Sequence, residues 1–446
     1  MVSLTQTSPI HPDQGRKVVA YRNLTLIDGK GRELLDAALV ILGDRILDAG
    51  PANSVMPRHP EALVVDAKGF VAIPGLINAH THVAMGFFRG IGHGVDNMIE
   101  KFLFPAEKKL SPDLLEPLSY SYIVAGLKSG VTCFADHYYY SAGIAQAFER
   151  LGVRAAVGET VADEGGAFPT VETWTRAKAM LKGWKYSSRI TPALAPHAAD
   201  TVSLKTMKEI AAVAKSDGLP IHMHLSQTKG ERTRVQRKHK MSPVAYARKA
   251  GVLSEHTLAV HMTSVTDDDL KIIAKSGATI GFCPVSQIIY EQLAPAHKML
   301  ARGIPLAVGT DCAASNDHCD MLSELKFTAL LLKDRGVRDD QLSAQDVLAM
   351  ATTQPAKVFG LKQLGTLTPK SIADVVFLEH DVGTLPGDQP AMNLLYSMGS
   401  RNVRHVMIDG QWVVWNRELA KVSEAELTKQ YLAAVGEIKR RIGFIK

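Results

Sequence analysis

The sequence predicts an α/β fold: a (β/α)8 TIM-type barrel carrying a small β-sandwich assembled from both chain ends. Three features predict it. Eight apolar, β-branched runs alternate with longer helical stretches through the middle of the chain, the texture of a parallel sheet covered on its outer face. Ionisable residues gather at the C-terminal ends of those runs, where a parallel barrel builds its active site. Short strands broken by D-G, G-K and G-D turns occur before the first run and return after the last, as antiparallel hairpins do.

Taken in order, VVAYRNLTLIDGKG, AALVILGDRILDAG and ALVVDAKGFVAIPG within residues 17–73 are hairpin strands, and ADVVFLEHD and VRHVMIDGQWVVWNREL near the end are their counterparts. The barrel strands are VAIPGLINAH, VTCFADH, RAAVGET, ITPALAPH, PIHMHL, TLAVHM, ATIGFCP and PLAVGTD. Helical stretches such as SPDLLEPLSYSYIVAGLKSG and SLKTMKEIAAVAKSDG separate them. The expected division is residues 1–73 for the first part of the sandwich, 74–370 for the barrel, and 371–446 for the rest of the sandwich with a C-terminal helix.

Composition narrows the function. In 446 residues, 46% are apolar and 22% charged, the balance of a soluble globular enzyme with a sizeable core. The net charge is +6 with scattered basic residues, which argues against nucleic acid as a partner. The dense stretch KGERTRVQRKHK (229–240) reads as a solvated face. Cys133, Cys283, Cys312 and Cys319 form no C-x-x-C pair and read as reduced thiols of a cytoplasmic protein. The N-terminal stretch lacks an apolar leader core, and no run is long enough to span a membrane.

The spacing of the polar groups suggests a metal. Residues i and i+2 of a strand share a face, so His80 and His82 can offer two imidazole nitrogens to one cation. An H-x-H pair alone is weak. Joined to a histidine ending the fifth strand and Asp311 ending the eighth, it suits Zn²⁺ or Fe²⁺ with a position left for water. On the fifth strand His222 and His224 again share a face, and periodicity does not choose between them.

PGLINAHTH, APHAADTVS, HMHLS, LAVH and VGTDCAASND together resemble the amidohydrolase superfamily. The resemblance is to its branch of metal-dependent deaminases and chlorohydrolases, with methylthioadenosine/S-adenosylhomocysteine, guanine and triazine-acting members. It implies that His80, His82, His224 and Asp311 hold one divalent metal, zinc or alternatively iron. It further implies that His261 holds the attacking water, that His197 reaches the substrate, and that the protein is a homodimer. Relatives with two metals carry a bridging lysine where this fourth strand ends Ala195, Pro196, His197, so one metal is implied. Asp311 would take a proton from water and pass it to the departing amine while His261 stabilises the tetrahedral intermediate. The implied reaction is hydrolytic deamination of an amino-substituted N-heterocycle.

Two departures from the family bear on substrate and acid. Where such deaminases read H-x-x-E, this chain has His224, Leu225, Ser226, Gln227, and a glutamine donates a hydrogen bond but no proton. The proton then comes from Glu231 or Glu159, or the substrate is activated enough to need only Gln227. A third option is a catalytically silent metal-containing binding protein. A triazine-type chlorohydrolase or N-substituted aminohydrolase is the alternative enzyme. In the loop after the first strand, VDNMIEKFLFP places Met98 where relatives carry a tryptophan over the substrate. Met98, Glu159, His197 and Gln227 are therefore the candidate substrate contacts, with Phe87, Phe88, Tyr138, Tyr139 and Tyr140 as further lining. Ser315, Asn316 and Asp317 read as a cap for the helix that follows.

Overall fold

The computed structural model describes residues 2–5, 17–91, 93–94, 97–290 and 292–444. Most of the leading stretch read as free of a leader core thus lies outside the described residues. Eight parallel strands form the central sheet: β1 (Leu76–Thr81), β2 (Val131–Tyr138), β3 (Arg154–Val161), β4 (Ile190–Pro196), β5 (Ile221–Leu225), β6 (Thr257–His261), β7 (Thr279–Phe282) and β8 (Leu306–Val308). Each predicted run supplies one of them. The ring closes through a single parallel bridge, Thr81 to Asp311, and through the Asp311 amide, which donates to the His80 carbonyl at 3.0 Å.

Closure depends on Gly309. A Cβ there would lie 2.6 Å from the His80 amide nitrogen, closer than packed atoms approach, so only glycine lets β8 come against β1. The connecting helices follow ordinary capping rules. Ser203 accepts from the Thr206 amide to start Leu204–Asp217, and Gly218 ends that helix at φ +65°.

The first predicted run, VAIPGLINAH, is two strands. Phe70–Pro74 pairs antiparallel with Val375–Glu379 in the terminal sheet, whereas Leu76–Thr81 enters the barrel. Gly75 makes the change: its amide donates to the Asp374 carbonyl at 2.9 Å, and a Cβ would strike the Thr132 side chain at 2.1 Å. Periodicity within a continuous apolar run carries no sign of such a transfer between sheets.

The terminal sheet is mixed and joins strands from both chain ends. Val19–Ile27 pairs on one edge with Glu33–Leu42 and on the other with Leu63–Asp66 and Phe70–Pro74, so the sheet branches there. It folds over Tyr21, Phe70, Phe377 and Trp412. The Tyr21 and Phe377 rings lie 5.3 Å apart, and Trp412 meets Tyr21 edge-on at 6.1 Å. The C-terminal helix Glu424–Arg441 packs on Pro112–Lys128. Among the described residues no helix is long and apolar enough to cross a membrane, and all four cysteines are buried and unpaired.

A buried ion cluster fastens the two sheets. Arg154, at the start of β3, meets Asp374 at 3.1 Å and also Asp409, and the Asp409 amide donates to Asp374 at 2.8 Å. Removing one partner of such a cluster leaves a charge buried alone. Arg154→Ala is therefore expected to lower the unfolding free energy by about 3–5 kcal/mol, measured by urea denaturation of the metal-loaded protein.

Candidate metal centre

Four histidines and one aspartate converge at the C-terminal mouth of the barrel. Ligand atoms of His80, His82 and Asp311 lie within 4.8 Å of one another, as do those of His80, His224 and His261. All are buried. The Nε2 atoms of His80 and His82 each stand 3.5 Å from Asp311 Oδ1, and those of His82 and His224 are 3.2 Å apart. Two of these residues hold unusual backbone: Asp311 and His261 have φ of +62° and +77°, a region L-residues occupy at a cost and mostly at functional positions.

The second ring nitrogens are tied down. His82 Nδ1 pairs with the His137 carbonyl, and His224 Nδ1 with the His197 carbonyl at 3.0 Å. A carbonyl only accepts, so both rings carry the proton on Nδ1 and turn an Nε2 lone pair inward. His80 Nδ1 bonds His222 Nε2 at 2.7 Å, while His80 Nε2 and His261 Nε2 are buried without a protein partner. The fifth strand is thereby resolved: His224 faces the cluster, and His222 supports His80 from beneath, packed against Phe359.

Burial keeps His82, His222, His224 and His261 neutral. It depresses His82 to about 4 and His261 to about 3, and holds His222 and His224 well below the ordinary value. Burial alone would raise Asp311, but the imidazoles of His80, His261 and His82 hold it well below the usual carboxylate range. Neutral imidazoles beside an ionised carboxylate are the donor set a divalent cation needs.

A cavity of about 640 Å³ opens above the cluster, within the range of small-molecule sites. The amidohydrolase family profile matches residues 71–413. The chain belongs to the amidohydrolase family. It is 31% identical over 418 residues to a 5'-deoxyadenosine deaminase of Methanothermobacter thermautotrophicus, covering 92% of this chain and 97% of the relative. It is 33% identical over 427 residues to a 5-methylthioadenosine/S-adenosylhomocysteine deaminase of Desulforudis audaxviator, covering 92% and 96%. An adenosine deaminase from Xanthomonas campestris, solved with bound zinc, superposes with a TM-score of 0.88 at 25% identity, covering 96% of this chain and 99% of that one.

Of the expected substrate contacts in this amidohydrolase, Met98, His197 and Gln227 line the cavity. His197 Nδ1 bonds Thr201 Oγ1 at 2.8 Å, and burial lowers the ring to about 4. Glu159 requires a correction. Strand alternation turns Thr160 to the mouth and Glu159 to the outer face, where it accepts from the Tyr140 and Ser141 amides and pairs with Arg176 at 2.9 Å. Glu231 is likewise outside the lining. Its oxygens accept from the Ser226 and Gln227 amides at 3.1 and 2.7 Å, holding the loop from behind.

Of the aromatic candidates, Tyr138 and Tyr139 line the cavity, whereas Phe87, Phe88 and Tyr140 do not. The helix cap is Asp320, which accepts from the Leu322 and Ser323 amides; Ser315 instead donates to Asp311 Oδ2 at 3.2 Å beside Ser286 at 2.6 Å. The basic stretch forms the helix Lys229–His239, mostly solvated, with Lys229 and Arg234 at the cavity rim. His137, one of the ionisable groups expected at the strand ends, lines the cavity and stacks on His224 with ring centroids 4.7 Å apart, whereas Glu107, also in the lining, escaped the sequence reading. A lone acid within the apolar run FLFPAE was the available signal for Glu107.

His222 yields a test. It touches His80 and not the cavity, so His222→Phe should leave the fold intact and weaken zinc binding by about 10–100-fold. Competition with a chromophoric chelator measures this.

Proposed function

We propose that this amidohydrolase is a deaminase that replaces an amino group on a nitrogen heterocycle with oxygen from water, releasing ammonia. The observation that carries the reading is the ring of inward lone pairs on neutral imidazoles beside ionised Asp311, at the floor of a cavity sized for a small molecule. His80, His82, His224 and Asp311 would hold one divalent cation. Zinc suits a mixed nitrogen and oxygen set better than other common ions, with iron the alternative. Bound there, it would lower the pKa of water from about 15.7 towards 7.

The protein groups divide the remaining work. Asp311, kept ionised and fixed by Ser286, accepts the first proton of the attacking water and returns it to the amine as that leaves. His261, with its Nε2 unpartnered, orients the water and donates to the developing oxyanion. His197 and Gln227 present polar atoms to the heterocycle, and Met98 packs against it. The substrate class is adenosine derivatives altered at the 5' position, as the names of the two relatives suggest. A cytoplasmic homodimer belongs to the same reading, supported by the unpaired cysteines for the compartment and by the resemblance for the assembly. The division into units at 73/74 and 370/371 is retained as part of it.

Gln227 favours one second reading, in which a ring with a good leaving group such as chloride needs only a hydrogen-bond donor at this position. Zinc-loaded protein is expected to release ammonia from 5'-deoxyadenosine or methylthioadenosine in a coupled assay, and no chloride from chlorotriazines. Chelation should abolish the activity and zinc restore it. Asp311→Asn should lower kcat by about 10²–10⁴-fold. Chloride release without ammonia release would select the second reading.

A further inference from the structure

We propose that Arg234 is a positioning residue: it latches the loop after β1 across the mouth of the cavity and so sets how firmly substrate is held. The proposal rests on the deaminase reading only where turnover is measured. The guanidinium joins three segments around the mouth. Arg234 belongs to the helix Lys229–His239 that follows β5. Its Nε donates to Oδ2 of Asp200, in the loop after β4, at 2.6 Å, and its Nη2 lies 3.1 Å from Oε1 of Glu100, in the loop after β1. One planar fork thus spans two carboxylates on different loops, a geometry that arginine supplies and lysine does not. The three segments are those that present His197, Gln227 and Met98 to the cavity. Asp200 is three residues beyond His197, and Glu231, one turn before Arg234, holds the Gln227 amide.

The two ends of this bridge differ. The Asp200 side chain is 8% exposed and that of Glu100 is 35% exposed, so the first is an anchor and the second a contact open to solvent. Glu100 lies in a π-helical turn, Ile99–Leu103, a form frequent at functional sites. That turn and the next, Phe104–Glu107, build the cavity wall with Leu103, Phe104 and Glu107, just after Met98. Their main packing is against each other. Beyond it, Phe102 meets Phe88 and Phe444 at 5.5 and 6.1 Å, and Phe104 meets His197 edge-on at 5.9 Å. Among the described residues, Glu100–Arg234 is the only ion pair from this segment to another element. A wall segment with few outside contacts opens at low cost, and a part-exposed ion pair biases it without locking it.

A latch of this kind bears on the cavity wall and not on the reacting atoms, so it acts alike on bound substrate and on the transition state. It therefore governs KM and leaves kcat alone. Salt that screens the Glu100–Arg234 pair opens the latch, whereas the better-buried Asp200 keeps its hold on the guanidinium.

The test compares zinc-loaded wild type with Glu100→Gln, which removes the charge and keeps the shape, with Arg234→Lys, and with the double variant. KM and kcat for 5'-deoxyadenosine, an uncharged substrate, are measured at about 50 and about 500 mM salt, together with zinc content and amide hydrogen exchange over residues 97–107. Glu100→Gln is expected to raise KM about 5-fold at low salt with kcat and zinc content unchanged. Exchange of the 97–107 amides should quicken while that of the barrel strands stays as it was. Arg234→Lys should behave like Glu100→Gln, and the double variant no worse than either single one. Wild-type KM should rise with salt to the Glu100→Gln value, which salt leaves unmoved. Unchanged KM with unchanged exchange, additive effects in the double variant, or a fall in kcat in place of the rise in KM would overturn the proposal. Should Arg234→Lys not fold, Glu100→Gln and the salt series decide. If wild type turns over no nucleoside, the deaminase reading fails separately, and hydrogen exchange alone shows whether the pair holds the loop.

Discussion

The structure is organised around an arrangement that is costly in the absence of a cation: several imidazole lone pairs and one carboxylate buried together at the mouth of the barrel. Each buried polar atom without a partner costs about 1–3 kcal/mol, and His80 Nε2 and His261 Nε2 are two such atoms. The surroundings do not relieve the cost; they fix it. Backbone carbonyls of His137 and His197 hold two tautomers, His222 holds the third ring, and Ser286 and Ser315 hold the carboxylate. Such a set becomes favourable once a divalent cation meets the lone pairs.

The barrel is what makes the arrangement possible. Donors come from β1, β5, β6 and the end of β8, four strands that share a rim only because the sheet closes on itself. Gly309 permits that closure by letting β8 lie against the His80 backbone, and Asp311 leaves the strand in a left-handed conformation. The terminal sheet contributes at a distance. It takes up Phe70–Pro74, and with them the chain leading into β1, and is pinned to β3 through Arg154, Asp374 and Asp409.

Much of this was legible in the sequence. All eight barrel strands appear as apolar runs, and His80 and His82 announce themselves by a two-residue spacing. The transfer between sheets at Gly75 was not legible, because an uninterrupted apolar run gives no sign of which sheet it joins. Nor was the choice between His222 and His224, since both lie on one face and only depth in the barrel separates them. Glu159 misled because position at a strand end does not say which face a residue takes. Glu107 went unseen because it ends a short turn in the first loop, where strand periodicity does not reach and a lone acid in an apolar run is the only mark.

Gln227 and Glu107 line the same cavity from different elements, the loop after β5 and the loop after β1, above the cluster that the strands supply. The proposed reaction depends on a cation at the floor. Anomalous diffraction from crystals of the zinc-loaded protein tests that claim most directly. The account predicts a single cation held by Nε2 of His80, His82 and His224 and by an oxygen of Asp311. A cation bound elsewhere, or His222 in place of His224 among its ligands, would contradict it.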